Sequence, residues 1–424
     1  PYTTLFRSRG IPAYNARQRH NPHQSAMRFP SGATTARRKH PERHERRRAM
    51  AAITSTPIHG TTDGGSGNAG AGVPESPVRY DTELISRFET WTEIDADLAD
   101  LPESTAERFR RNRYDTASFD LPRSAFWHDP DTVDAICDLP YLPDGGTDRT
   151  AGQVRGHLLD VYLPHDATVR GGHTLPVYID IHGGGFTYGY KELNRNFNTH
   201  LAARGFAVFS LNYRPAPQTD LKGQLADVQA ALRWIHANLA DYPVDPNAVF
   251  VTGDSAGGAL ALLTLAIENS AEAARAFGVE KPSGLRFSGG ALVCGVYSLA
   301  SPARAGADGL GYDSGKRAML ERMLGTEFFA GLDAADPTYL TPEGIVGNVD
   351  LPPLFLLTSS DDFLEADALA LATALSRKGA DFELNDRKVG RHESLGHVYP
   401  IGMTWLDESQ QALDAIRRFS YERC

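Results

Sequence analysis

From about residue 154 onward, short apolar runs alternate with stretches in which apolar residues recur every three or four positions. The short runs suit strands covered on both faces, and the periodic stretches suit helices with one buried face. Strands are expected at His157–Leu163, Leu175–Ile181, Phe206–Leu211, Ala248–Thr252, Gly290–Val296, Leu354–Thr358 and, more weakly patterned, Phe382–Leu384. The clearest helices are expected at Leu221–Leu239, Ala256–Glu268, Glu365–Arg377 and Glu408–Phe419. Such alternation predicts βα units and an α/β fold with a mostly parallel central sheet flanked by helices.

Two regions break the pattern. Between residues 298 and 350, loops rich in Gly, Pro and Ala surround a short helical stretch, Arg317–Leu324. An insertion of that length between strands suits a lid over a substrate site. Upstream, Leu84, Ile85, Phe88, Trp91, Ile94 and Leu98 recur at helical spacing among acidic residues, which predicts an amphipathic helix over 78–100 and a second cap element. Residues 1–75 are rich in Arg, His, Pro, Ser and Gly without any sustained apolar period, and this head is expected to be disordered. The implied domains are the head over 1–75, a helical cap region over 76–135, and a catalytic domain over 136–424 carrying the 298–350 insertion.

Charge sharpens the division. Residues 1–49 hold twelve Lys and Arg against two Asp and Glu, a balance of +10, which leaves −20 on the remainder of a chain with a net charge of −10. An acidic body repels phosphodiester backbones and anionic lipid, so no nucleic-acid partner is expected outside the basic head. Met50 follows Arg46, Arg47 and Arg48 and reads as an alternative start, while the opening Pro-Tyr-Thr-Thr-Leu-Phe-Arg-Ser resembles translated adapter sequence. With 41% hydrophobic and 23% charged residues over 424 positions, the chain can bury one large core. Its three cysteines, Cys137, Cys294 and Cys424, are too few and too widely spaced for a disulfide framework or a metal site. Apolar runs such as Ala259–Ile267 fall short of the roughly 20 residues a bilayer span needs. A soluble, cytoplasmic protein without a metal or cofactor is expected.

The chemistry concentrates in three places. Gly253-Asp254-Ser255-Ala256-Gly257 matches G-x-S-x-G, and it stands between an expected strand and an expected helix. A sharp turn there would strain the serine backbone, exclude side chains at 253 and 257, and aim the hydroxyl outward over a helix N-terminus. His182-Gly183-Gly184-Gly185-Phe186 follows another strand and matches the H-G-G-G loop, whose unhindered N–H groups can meet a developing oxyanion. A dinucleotide-binding reading of that loop fails on spacing, because the next glycine, Gly189, comes one residue too late for G-x-G-x-x-G. Gly184, Gly185 and the residue after the serine, Ala256, are the expected oxyanion donors, and His182 is expected to be structural. An acid and then a histidine should follow the serine. Asp361 and Asp362 stand just after the strand at 354–358, and His392 and His397 lie further on.

With His182–Phe186, Asn212-Tyr213-Arg214-Pro215, Asp227, Trp234 and Gly253–Gly258, the sequence resembles the hormone-sensitive-lipase-like branch of the α/β hydrolases over about residues 150–420. The resemblance implies an α/β-hydrolase fold. It also implies that Asp362, in Asp362-Phe363-Leu364, is the catalytic acid rather than Asp361, and that His397, in Leu395-Gly396-His397, is the base. The polar stretch 386–394 departs from the family spacing and leaves His392 as a competitor. By the same resemblance Tyr213, Arg214 and Asp227 brace the site, while Phe186, Tyr188 and Tyr190 follow the oxyanion loop as pocket or core residues. Cys294 reads as a buried strand residue.

The expected reaction is two-step acyl transfer by Ser255, His397 and Asp362 on a small-molecule ester, and the resemblance suggests short acyl chains. An amidase or formamidase would use the same triad, and a non-catalytic receptor on this scaffold would usually lack one of its members.

Overall fold

The computed structural model describes residues 97–143, 157–170, 174–300, 314–333, 337–388 and 394–424. The basic head, Met50, nearly all of the helix expected at 78–100, and His392 lie outside the described residues; the last few positions of that expected helix, 97–100, form a 3₁₀ turn.

Eight strands form one sheet: β1 (Val133–Pro140), β2 (Leu158–Pro164), β3 (Leu175–Ile181), β4 (Ala207–Leu211), β5 (Val244–Asp254), β6 (Phe287–Val293), β7 (Leu354–Ser359) and β8 (Phe382–Arg387). Their order across the sheet is β1-β2-β4-β3-β5-β6-β7-β8. β2 runs antiparallel to both β1 and β4, and every pairing from β4 through β8 is parallel. β3 and β5 occupy the middle, where helices cover both faces, and every residue of Leu175–Ile181 is buried. That double burial is why Leu175–Ile181, apart from Asp180, reads as a mainly apolar run rather than an alternating one.

One core layer packs the helices Leu221–Asn238, Ala256–Asn269 and Glu365–Lys378 against the sheet. The opposite layer packs the helices Arg195–Ala202 and Asp407–Tyr421 through Phe197, Leu201, Ile416 and Phe419. The helix Ala256–Asn269 is buried almost all round because it runs down the middle of the sheet directly behind β5. This explains its lack of a polar face.

Two elements differ from the sequence-based expectation. β1 starts at Val133, inside the stretch assigned to the helical cap, so that stretch also supplies a sheet edge. β6 spans Phe287–Val293 rather than 290–296, which leaves Cys294 one residue beyond the strand. The 22-residue helix Glu103–Ser124 is the main element of the described cap region. Its Arg113 is fully buried, forms two 2.7 Å bonds with Asp97, and donates to the carbonyls of Thr187 and Ala216, each at 3.0 Å. Asn112 of the same helix donates to the Met323 carbonyl at 2.9 Å, and Met323 lies over Gly185. The helix and the 298–350 insertion therefore meet above the glycine loop that follows β3. Among the described residues, no helix is long and apolar enough to cross a membrane.

Candidate active site

Four strand ends converge on one spot. β5 runs into Ser255, β3 into the His182–Phe186 loop, β7 into Asp361 and Asp362, and the chain beyond β8 returns through His397. Open α/β sheets hold ligands beyond the carboxyl ends of their strands, where crossovers diverge.

Ser255 has φ 52° and ψ −115°, a backbone conformation that side chains rarely adopt. Its N–H donates to the Val293 carbonyl at 3.0 Å, and its own carbonyl accepts from Ala259 and Val296 at 3.2 Å each, so the neighbouring structure enforces the bend. A Cβ at Gly257 would stand 1.9 Å from the Ile181 carbonyl oxygen, so the helix can approach β3 only with glycine there. At Gly184, φ is 116° and a Cβ would stand 2.0 Å from the Tyr188 carbonyl. Gly184 and Gly185 thus lie in the left-handed region, and at Gly184 there is no room for a side chain. Among the described residues the N–H groups of Gly184, Gly185 and Ala256 donate to no protein acceptor.

His397 links the serine to an acid. Its Nε2 lies 2.9 Å from Ser255 Oγ, and its Nδ1 lies 2.8 Å from Asp362 Oδ1. Asp362 is 5% exposed and also accepts from the Leu364 N–H at 2.9 Å and the Thr358 hydroxyl at 3.1 Å. Burial pushes its pKa up, but the hydrogen bond and charge of His397, with the Leu364 amide, outweigh that and hold it below the ordinary carboxylate value. The neighbouring Asp361 is exposed and accepts from the Leu395 N–H at 3.1 Å, pinning the loop that carries His397. The two carboxylates therefore occupy different places: one touches the imidazole and the other its supporting backbone.

Other residues, most of them named from the sequence, complete the surroundings. Cys294, fully buried with φ 48°, places its sulfur within 4.8 Å of donor atoms of Asp362 and His397. Both imidazole nitrogens are already engaged, so this trio is a hydrogen-bonded group and not a ready set of metal ligands. The Phe363 ring covers the imidazole at 4.5 Å between centroids, although Phe363 itself is half exposed. His182 stacks on Tyr213 at 4.3 Å, and the Tyr213 hydroxyl donates to the His182 carbonyl at 2.9 Å. Arg214 grips Asp227 through two 2.8 Å bonds. Phe186, Tyr188 and Tyr190 are all buried, the two tyrosines against Ala117 and Leu121 of the helix Glu103–Ser124.

Asp254, within the serine turn, is fully enclosed. Its Oδ1 accepts from the Gly183 N–H at 2.9 Å and from Asn194 at 2.8 Å, and Asn194 also reaches Asp180. The turn bearing the serine and the glycine loop are thereby tied by one carboxylate. Burial raises the Asp254 pKa to about 7, with Asn194 opposing and the nearby Asp180 adding to the rise. Because the folded value lies above the ordinary 3.8, the contribution is complete below about pH 4 and is lost as pH rises through about 7. Asp254→Asn, which mimics the neutral acid, should therefore raise the thermal midpoint over the parent by roughly 3 °C or more at pH 8 and much less at pH 5. Scanning calorimetry at the two pH values checks this, and an equal difference at both would contradict it.

A family model described as the α/β-hydrolase fold matches residues 178–395, about half of the chain, including the loop after β3, the serine turn and Asp362. The chain belongs to the α/β-hydrolase family. Carboxylesterase NlhH of Mycobacterium tuberculosis is 31% identical over 226 residues, which cover 51% of this chain and 66% of that protein. The probable carboxylic ester hydrolase LipM of the same species is 34% identical over 131 residues, 30% of each chain. The matched stretch thus spans less than two thirds of either relative. Among solved structures, esterase B of Lactobacillus rhamnosis, inhibited by a tributyrin phosphonate, superposes with a TM-score of 0.62 at 29% identity, covering 76% of this hydrolase and 96% of esterase B. An esterase of Pyrobaculum calidifontis, at 24% identity and a TM-score of 0.53, shares the fold.

Proposed function

We propose that this α/β hydrolase cleaves small, short-acyl carboxylic esters through a covalent acyl-enzyme. The observation that carries the reading is the unbroken chain Ser255 Oγ, His397 Nε2, His397 Nδ1, Asp362 Oδ1, with links of 2.9 and 2.8 Å. A serine hydroxyl is inert until a base within hydrogen-bond reach takes its proton. In this reading His397 takes that proton as Ser255 Oγ attacks the ester carbonyl carbon. Asp362 holds the imidazole with Nδ1–H toward itself and stabilises the imidazolium. The carbonyl oxygen, now negative, is received by the N–H groups of Gly184, Gly185 and Ala256, and each such donor contributes about 2.7 to 4 kcal/mol to the barrier reduction. The imidazolium then protonates the departing alcohol. Water, deprotonated by the same imidazole, attacks the acyl carbon and frees the acid and Ser255.

The esterase names of the relatives favour ester over amide. The helix Glu103–Ser124 and the insertion helix Ser314–Leu324, meeting over Gly185, favour a limited acyl pocket. A fluorophosphonate should inactivate the protein with one adduct, mapped by peptide mass spectrometry to Ser255. The untreated protein should hydrolyse p-nitrophenyl butyrate well, its palmitate homologue poorly and the matching anilide least. Labelling elsewhere with full loss of activity, or anilide turnover above ester turnover, would reject the proposal.

A further inference from the structure

Phe363 stands at the tip of the turn between β7 and the helix Glu365–Lys378, and the chemistry of acyl transfer makes no use of its ring. Hydrogen bonds hold the turn on both sides of it: the Asp362 N–H donates to the Ser359 carbonyl at 3.0 Å, the Leu364 N–H to Asp362 Oδ1 at 2.9 Å, and the Glu365 N–H to the Asp362 carbonyl at 3.0 Å. So held, the turn sends Asp362 and Leu364 inward and Phe363 outward. At 52% exposure Phe363 is the most exposed large hydrophobic residue among those described. Its ring nevertheless packs on the His397 imidazole, 4.5 Å between centroids and tilted by 47°, and that imidazole has its Nε2 2.9 Å from Ser255 Oγ. The His397 side chain is itself 16% exposed, so the imidazole is open to solvent beside the phenyl ring. Strand order gives the side: β5, which runs into Ser255, has β3 and its glycine loop on one flank, and β6 and then β7 on the other. Phe363 therefore follows a strand on the opposite flank of the serine from Gly184 and Gly185.

An aromatic ring left half in water forgoes the burial that favours apolar side chains, and a lone exposed residue of that kind needs no function. Here, however, the exposed ring abuts the group that hands a proton to the departing alcohol. The alcohol oxygen must come within about 2.6 to 3.2 Å of Nε2 to receive that proton, so the carbons it carries are delivered beside Phe363. We infer that Phe363 is a specificity-determining residue for the alcohol portion of the ester, its exposed ring offering a stacking surface that favours alcohols with an aromatic ring close to the ester oxygen. A single flat ring open to solvent meets a flexible alkyl chain at few atoms. A second flat ring can lie offset or edge-on against it and gains from the complementary quadrupoles as well as from the area covered. This inference rests on the ester-hydrolase reading and names the substrate class within it.

Benzyl butyrate against cyclohexylmethyl butyrate tests it, because the two esters give the same acyl-enzyme and differ chiefly in whether the ring of the alcohol is flat. Each kcat/KM is divided by the alkaline hydrolysis rate of the same ester, which removes the intrinsic difference between the leaving groups. The parent protein should then favour the benzyl ester about 2- to 12-fold, the range expected for an aromatic pair beyond its buried area. Phe363→Leu should bring that ratio close to one, and Phe363→Tyr, which keeps the ring, should preserve it. The preference between benzyl butyrate and benzyl hexanoate, which reports the acyl side, should be the same in all three proteins. A parent ratio near one would overturn the inference. So would a ratio unchanged in Phe363→Leu, where equal losses on both esters would mean that the ring only shields the imidazole, or an acyl preference that shifts as much as the alcohol preference. Phe363→Met takes the place of Phe363→Leu should that variant not fold. Failure of the parent on both butyrates would instead count against the esterase reading.

Discussion

Replacing Ser255 by alanine is expected to lower kcat for p-nitrophenyl butyrate by about 10⁶-fold, the size seen when the nucleophile of an intact triad is removed. The fold should survive. The Ser255 backbone is held by bonds to Val293, Ala259 and Val296 that do not involve its hydroxyl, and the hydroxyl's recorded partner is the imidazole. Far-UV circular dichroism and the thermal midpoint should therefore stay close to those of the parent. Residual rate should reflect only the oxyanion donors and substrate binding, and fluorophosphonate labelling should disappear. A Ser255→Ala protein that keeps a tenth or more of the parent activity would show that another group attacks the substrate, and the acyl-enzyme proposal would fall.

The parts of this protein legible in its sequence were those whose physics is local. The Leu175–Ile181 strand was readable from end to end because burial on both faces leaves it apolar apart from Asp180 and the Tyr178 hydroxyl. The Ala256–Asn269 helix was readable because Gly253 and Ser255 before it and Gly257 in its first turn mark the bend. The same reasoning placed β6 three residues late. The apolar run there continues through Val296 and Leu299, which are buried by loops and not by the sheet, so burial alone could not mark the strand's end. β1 was missed for the opposite reason: it is an edge strand whose residues are mostly exposed or half-buried, so it leaves no apolar signature.

Within the site, motif and chain order sufficed to nominate Ser255, Gly184, Gly185 and Ala256, whereas the choice of Asp362 over Asp361 rested on the family resemblance and not on the spacing itself. Asp361 and Asp362 differ in sequence by one position, but successive side chains leaving a strand end point in different directions. The place of Cys294 beside the imidazole was invisible for a related reason. It reads locally as an ordinary buried strand residue, and only the bend after β6 brings it to Asp362 and His397.

The separation of the two carboxylates leads to the second large effect. Asp362→Asn should lower kcat by about 10⁴-fold with little change in substrate affinity. In the parent the carboxylate accepts from His397 Nδ1, from the Leu364 amide and from the Thr358 hydroxyl. An asparagine amide can satisfy those donors only in part, and with its NH₂ facing the imidazole it selects the tautomer whose Nε2 carries hydrogen. That nitrogen then points a donor at Ser255 Oγ and cannot accept its proton, so the loss falls on the chemical step. Asp361→Asn provides the contrast. Its carbonyl can still accept from the Leu395 N–H, and it does not meet the imidazole, so the expected change is under about threefold. Steady-state kinetics of the two variants on one ester, with folding checked by thermal unfolding, reads the difference directly. Equal losses would mean that the acid works through the loop backbone; a larger loss in Asp361→Asn would reverse the two roles.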